Sequence, residues 1–318
     1  MLTGSCLCGG VAYEVDAAIG PIAHCHCATC RKAHGSAFSS VSSVPRDKFR
    51  WTKGANLLAS YESSPGKVRR FCSKCGSQIV AERAGQATVI CGSDVSTLSS
   101  LTVPRRIYGG PKGHRGSIPR ISFLRCRRAS PDPSQRYDSV HPTLKPIREK
   151  NVDSASVSKK CETTEAIAKR QSEPVQITEG AIQRVGECHC GALKVITAGE
   201  PERVYLCHCK ACQRRTGTAF HFGVTYRRGQ VRLEGEYNIY ERGADSGSRI
   251  RYYFCPTCGS NLRWESERNP TLCGVAGGAL ENFDLSPTSA IFEESMHSWL
   301  ELPSVTEHHR QGRSPATN

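Results

Sequence analysis

Apolar and polar residues alternate along much of this chain with a period of two, the repeat of a strand that has one covered face. Val11-Ala12-Tyr13-Glu14-Val15 reads this way, and so do residues 37–44, 220–226, 231–234, 238–241 and 249–254. Gly, Pro and Ser clusters separate these runs. A short helical turn is predicted over 28–33 and another over 210–215. No long amphipathic helix is evident in either region. The fold class this predicts is all-β, in small domains.

The pattern occurs twice. Gly4-Ser5-Cys6-Leu7-Cys8-Gly9 matches Gly186-Glu187-Cys188-His189-Cys190-Gly191, and Phe71-Cys72-Ser73-Lys74-Cys75-Gly76 matches Phe254-Cys255-Pro256-Thr257-Cys258-Gly259. Between them stand Cys25-His26-Cys27-Ala28-Thr29-Cys30 and Cys207-His208-Cys209-Lys210-Ala211-Cys212. Cys6 to Cys25 and Cys188 to Cys207 both span 19 residues, so the repeat is a duplicated domain. By the same repeat Cys91-Gly92 is taken as the counterpart of Cys273-Gly274, both cysteines being core residues. The expected layout is a first domain over 1–124, a basic and polar linker over 125–180, a second domain over 181–307 and a disordered tail over 308–318. Pro, Ser, Lys, Thr and Glu dominate the linker, which cannot bury enough apolar area to order itself and is expected to be disordered. Within it, 162–170 is a candidate short helix.

Eighteen cysteines in 318 residues, densely paired, change the picture from a plain β protein to a metal-binding one. No basic-then-apolar leader opens the chain, and no apolar run is long enough to span a bilayer, so a reducing, cytoplasmic or nuclear setting is expected. The formal net charge is +14, yet eight of the basic residues lie in the acid-free stretch Arg105, Arg106, Lys112, Arg115, Arg120, Arg125, Arg127 and Arg128. The plain reading of that stretch is a solvated segment; a nucleic-acid contact through Arg105–Arg128 is its rival.

Seven cysteines per copy divide as four and three. Cys6, Cys8, Cys72 and Cys75, and likewise Cys188, Cys190, Cys255 and Cys258, are predicted to close a tetrahedral structural Zn2+ site. Cys25, Cys27 and Cys30, and Cys207, Cys209 and Cys212, leave one coordination position over. Either a histidine (His26 or His34) closes it, or it stays open for an exogenous ligand, as in catalytic zinc sites. Thr216 stands where His34 does, which favours the open reading. Three thiolates make a soft, electron-rich centre, suited to holding another thiolate that attacks a small aldehyde. Arg31, Lys32, Arg214 and Arg215 follow the triplets and are candidate contacts for the carboxylates of a small thiol, with plain solvation as the alternative.

These residues, with Gly35-Ser36-Ala37-Phe38 and the closing His297-Ser298-Trp299-Leu300, resemble the glutathione-dependent formaldehyde-activating enzyme family, which includes centromere protein V. The resemblance spans both copies and skips the linker. It implies two tandem zinc-binding, Mss4-like β domains, with up to two Zn2+ in each. It implies a structural metal on the outer cysteines and a catalytic one on the inner three. It implies carbon–sulfur lyase chemistry, with glutathione or another small thiol and a small aldehyde as partners and S-hydroxymethylglutathione as the adduct. The rival function is a non-catalytic zinc-stabilised module that binds nucleic acid or a cytoskeletal partner. The first copy departs from the pattern after Asp94, where nothing matches the Trp299 segment. On that ground it is expected to lack closing strands, and the second copy to carry most activity.

Overall fold

The computed structural model describes residues 1–92, 182–281, 286–302 and 304–312. The first copy runs β1 (Leu2–Ser5), β2 (Ala12–Val15), β3 (Ala23–Cys25), α1 (Ala28–His34), β4 (Ser39–Pro45), β5 (Phe49–Lys53), β6 (Leu58–Ser64), β7 (Lys67–Cys72), β8 (Gln78–Arg83) and β9 (Thr88–Gly92). The second runs β10 (Gln183–Glu187), β11 (Lys194–Ala198), β12 (Arg203–Cys207), α2 (Lys210–Thr216), β13 (His221–Arg227), β14 (Val231–Glu234), β15 (Asn238–Gly243), β16 (Arg249–Phe254), β17 (Asn261–Ser266), β18 (Leu272–Ala276), β19 (Ser289–Ile291) and β20 (Glu307–His309).

The duplication is therefore structural as well as sequential. Each copy pairs a three-stranded sheet with a larger one. The small sheets run β1-β2-β5 and β10-β11-β14. The large sheets run β6-β7-β8-β9-β4-β3 and β15-β16-β17-β18-β13-β12, and the second copy adds β19 and β20 beyond β12. Both additions pair in parallel. The linker, the stretch Arg105–Arg128, Cys126, Cys161 and the first copy's chain beyond Gly92 lie outside the described residues.

Cys91 and Cys273 are both buried. They are not counterparts, however. Cys91 pairs with Ser42 and Val80, whereas Cys273 pairs with Tyr226 and Glu265. Carried through the repeat, that register sets Cys91 against Val275 and Cys273 against Val89. A shared Cys-Gly dipeptide suggested the other alignment; pleat and pairing decide it, because a shift of two keeps the same face inward.

The two copies lie in one compact unit and meet through reciprocal contacts. Gln78 Nε2 donates to the Cys258 carbonyl (2.8 Å), and Asn261 Nδ2 donates to that of Gly76 (3.1 Å). Ser36 Oγ donates to the Phe220 carbonyl, and Thr218 Oγ1 to that of Phe38. Phe38 and Phe220 meet edge to face at 5.1 Å. Tyr61 packs against the second copy's core, and its counterpart Tyr240 against the first copy's. Such i-to-j, j-to-i pairing is the signature of a two-fold interface, here made within one chain.

Candidate metal centres

Two tight turns build each outer set. Cys6 and Cys8 flank a turn closed by Gly9 N–H to the Cys6 carbonyl, and Cys72 and Cys75 one closed by Gly76 N–H to the Cys72 carbonyl. Gly76 sits at φ +69° and Gly259 at +72°, the left-handed backbone that glycine adopts without cost. Backbone amides then point at sulfur: Val11 N–H on Cys6 and Leu193 N–H on Cys188, both at 3.2 Å. Ser77 and Ser260 tie the two turns of each set together, each accepting from a backbone N–H of the first turn and lying against the last sulfur.

Each inner set is carried by a strand end and a helix start. Cys25 ends β3, Cys27 caps α1, and Cys30 lies in its first turn. The Cys27 sulfur accepts from the Cys30 N–H, as Cys209 does from Cys212. Gly35 and Gly217 end the helices in left-handed conformation.

All four groups have sulfurs within 4.8 Å of one another, Cys6, Cys8, Cys72 and Cys75 with Cys188, Cys190, Cys255 and Cys258 as fours, the inner sets as threes. Neighbouring sulfurs lie 3.3 to 3.7 Å apart. A disulfide needs about 2.05 Å. A tetrahedron of sulfurs around zinc at about 2.3 Å has edges of about 3.8 Å. The donor sets fit a tetrahedral, thiophilic metal. Hydrogen bonds from neighbouring thiols lower one sulfur in each group, Cys6, Cys30, Cys212 and Cys258.

Among the described residues no histidine joins the inner sets. His26 packs on Phe38 at 4.8 Å. His34 is turned away: its Nδ1 donates to the Thr216 carbonyl of the second copy at 2.6 Å. Its Nε2 therefore accepts from Arg69 Nη1 at 3.3 Å, while Arg69 Nη2 donates to Cys30 Sγ at 3.3 Å. A carbonyl only accepts and a guanidinium only donates, so this chain fixes a neutral His34. Burial, then the Arg69 charge, lowers its pKa from 6.5 to about 4.

That shift makes a prediction. Between pH 6.5 and about 4 the unfolded chain takes up a proton that folded His34 refuses, so stability falls as pH falls. In urea denaturation across that window, His34→Gln should flatten the decline by about 1.4 kcal/mol per pH unit relative to the parent chain. The two chains are compared at equal metal content, measured at each pH; equal slopes would refute a neutral His34.

The four basic candidates fare differently. Lys32 bonds to Glu187 and Glu281 of the second copy, both at 3.1 Å. Arg215 is 2% exposed, its guanidinium over the Tyr252 and Trp264 rings at 5.0 and 5.5 Å. Arg31 is half-buried and Arg214 is exposed. Arg69 was missed by sequence reasoning. It lies in a strand remote from the triplet, and only the pairing of β7 with β8 brings it near Cys30; no local motif announces it.

Residues 1–104 and 183–300 match the family described as glutathione-dependent formaldehyde-activating enzyme, more than half of the chain. The chain belongs to that family. A Podospora anserina protein named as a glutathione-dependent formaldehyde-activating enzyme is 34% identical over 80 residues, 24% of this chain and 37% of that protein. The chain thus spans little more than a third of that relative's length. A Rhodobacter sphaeroides crystal structure aligns at 27% identity over 31% of this chain and 88% of its own, with a TM-score of 0.25. No helix among the described residues is long and apolar enough to cross a membrane.

Proposed function

We propose that the chain is a zinc-dependent carbon–sulfur lyase acting on the adduct of a small thiol, such as glutathione, with a small aldehyde. The observation that carries this is the contrast between the four-sulfur and three-sulfur sets. The outer sets complete a tetrahedron from protein alone; the inner sets bring three sulfurs and no fourth ligand among the described residues. Zinc on Cys25, Cys27 and Cys30, or on Cys207, Cys209 and Cys212, supplies a position that holds an incoming thiol as thiolate at neutral pH.

The chain's own residues do the rest. The triplet fixes where the thiol sulfur sits, and the outer four cysteines hold the strands that carry it. Arg69 places a guanidinium beside Cys30, where oxygen charge develops as sulfur attacks the carbonyl carbon. The carbonyl π pair passes to oxygen, which takes up a proton equivalent to the one the thiol gave up on becoming thiolate, and the product is the S-hydroxymethyl hemithioacetal; reversal releases aldehyde and thiol. The carboxylates of the thiol fall to exposed Arg214, or to half-buried Arg31, more readily than to ion-paired Lys32 or enclosed Arg215.

The test is interconversion of glutathione plus formaldehyde with S-hydroxymethylglutathione, followed by NMR exchange. The zinc-loaded chain should raise the rate above buffer. A Cys27→Ser/Cys209→Ser double variant should return it to background while keeping the two outer metals. A parent chain that binds four zinc ions and leaves the rate unchanged would overturn the lyase reading in favour of a binding module.

A further inference from the structure

The two inner sets share a backbone and differ in what stands beside them. Next to Cys25 and Cys30 the first copy carries a partly open cavity of about 90 Å3. Ser39, Val41, Ala81 and Ile90 line it, with Lys67 and Arg69 as its cations.

Strand pairing gives these positions their counterparts. Cys25 pairs with Ser39 and Cys207 with His221; Ala23 pairs with Val41 and Tyr205 with Gly223. Arg69 pairs with Ala81 and Tyr252 with Trp264. Ala81 pairs with Ile90 and Trp264 with Gly274. So where the first copy has Ala23, Ser39 and Ala81, the second has Tyr205, His221 and Trp264. The reverse exchanges make the room: Val41 becomes Gly223 and Ile90 becomes Gly274. A Cβ on Gly274 would lie 1.9 Å from the Trp264 ring, and one on Gly223 2.6 Å from the Tyr205 ring. The His221 ring stands edge-on to Trp264 at 4.5 Å. Arg215, where the first copy has Ala33, lies over Tyr252 and Trp264. Large-for-small and small-for-large exchanges that fit one stack are a built plug, close-packed in the manner of a core.

We infer that the two copies have divided the work. The first copy's three-cysteine set admits an exogenous ligand through the cavity bordered by Arg69 and Lys67. The second copy's set, with the corresponding space filled by the Tyr205, His221 and Trp264 side chains, is a structural centre. This rests on the proposed function only for the identity of the ligand. A cavity of 90 Å3 has room for about three waters, which fits the CH2–SH end of a thiol, the rest of it lying in solvent, beside a one-carbon carbonyl compound whose oxygen faces Arg69. Cys27 is exposed where its counterpart Cys209 is half-buried, and Cys25 is half-buried where Cys207 is buried, although Cys30 is buried where Cys212 is half-buried. The second copy still serves the first, because its Thr216 carbonyl holds His34, and His34 holds Arg69 against Cys30. This reverses the expectation that the second copy carries the activity.

The test loads the full chain with Co2+, which takes thiolate sites and reports on them by its charge-transfer band. Glutathione is titrated in. The Cys209→Ser chain, with only the first inner set, should keep the thiol-dependent change in the band; the Cys27→Ser chain, with only the second, should lose it. Ala81→Trp/Ile90→Gly, which moves the plug into the first copy, should abolish the change and leave the metal content at the parent's value. Equal responses from the two single variants, or a response from Cys27→Ser alone, would overturn the division while the lyase reading stands. The expected band pattern with no turnover would strike the lyase reading and leave the division standing. Silence from every variant and the parent overturns both.

Discussion

Cys258→Ser should unfold the second copy outright. Its thiolate completes the set with Cys188, Cys190 and Cys255, and it is 1% exposed. Structural zinc in small domains contributes roughly 10–16 kcal/mol of apparent folding free energy. Whole domains are stable by about 5–15 kcal/mol. Removing one ligand of four thus removes a term as large as the net stability. Here that term spans the sheet system: Cys188 follows β10 of the small sheet, while Cys255 and Cys258 lie between β16 and β17 of the large one. The expected result is loss of one zinc ion by elemental analysis, with collapse of the near-ultraviolet signal of Trp264 and its neighbours. The first copy should soften too, because Tyr240 would no longer cover its core. A folded Cys258→Ser chain with full metal content would show that the outer set does not bind the metal.

What the sequence disclosed, and what it withheld, follows from the range of each interaction. The cysteine spacings are local, because a Cys-x-x-Cys-Gly turn is specified within five residues, and all four sulfur sets assemble as the spacings predict. The helical turn after each triplet is likewise local, capped by the Cys27 and Cys209 sulfurs and ended by Gly35 and Gly217. Period-two alternation marked β2, β4, β13, β14, β15 and β16 and passed over the other strands. Among these, β8, whose first four residues are all buried, and β3, none of whose three residues is buried, do not alternate; β1 and β6 were passed over although their burial does alternate. Register is non-local, and that is why Cys91 was set against Cys273. The contact between copies lies further still from the sequence. Ser36, Gln78, Tyr61 and Asn261 carry no local mark of pairing with the other copy. Arg215 followed a triplet like a solvated base, yet the aromatic rings that enclose it come from β16 and β17.

The interface itself gives the second large effect, expected at Gly217→Val. Gly217 ends α2 at φ +65°, and a Cβ there would meet the Gln78 backbone oxygen of the first copy at 2.3 Å. Two costs add. A left-handed non-glycine residue costs roughly 1–2 kcal/mol, and a β-branched one exceeds that because its side chain is stiff at χ1. The clash is with backbone of β8, which cannot rotate away as a side chain would, so the copies must separate or the helix end must unwind. Separation breaks the bonds from Gln78 to Cys258 and from His34 to Thr216, and with the latter the hold on Arg69 beside Cys30. Gly247→Ala isolates the backbone cost: Gly247 is also left-handed, at φ +82°, and a Cβ there meets nothing within 4 Å. Gly247→Ala should lower stability by about 1–2 kcal/mol and leave one cooperative thermal transition. Gly217→Val should cost several-fold more, split the melt into two transitions and raise the radius of gyration in solution scattering. If both variants melt alike, the contact between the copies is not what holds this chain together; if only Gly217→Val splits, the two-fold seam is the element on which the first copy's site depends.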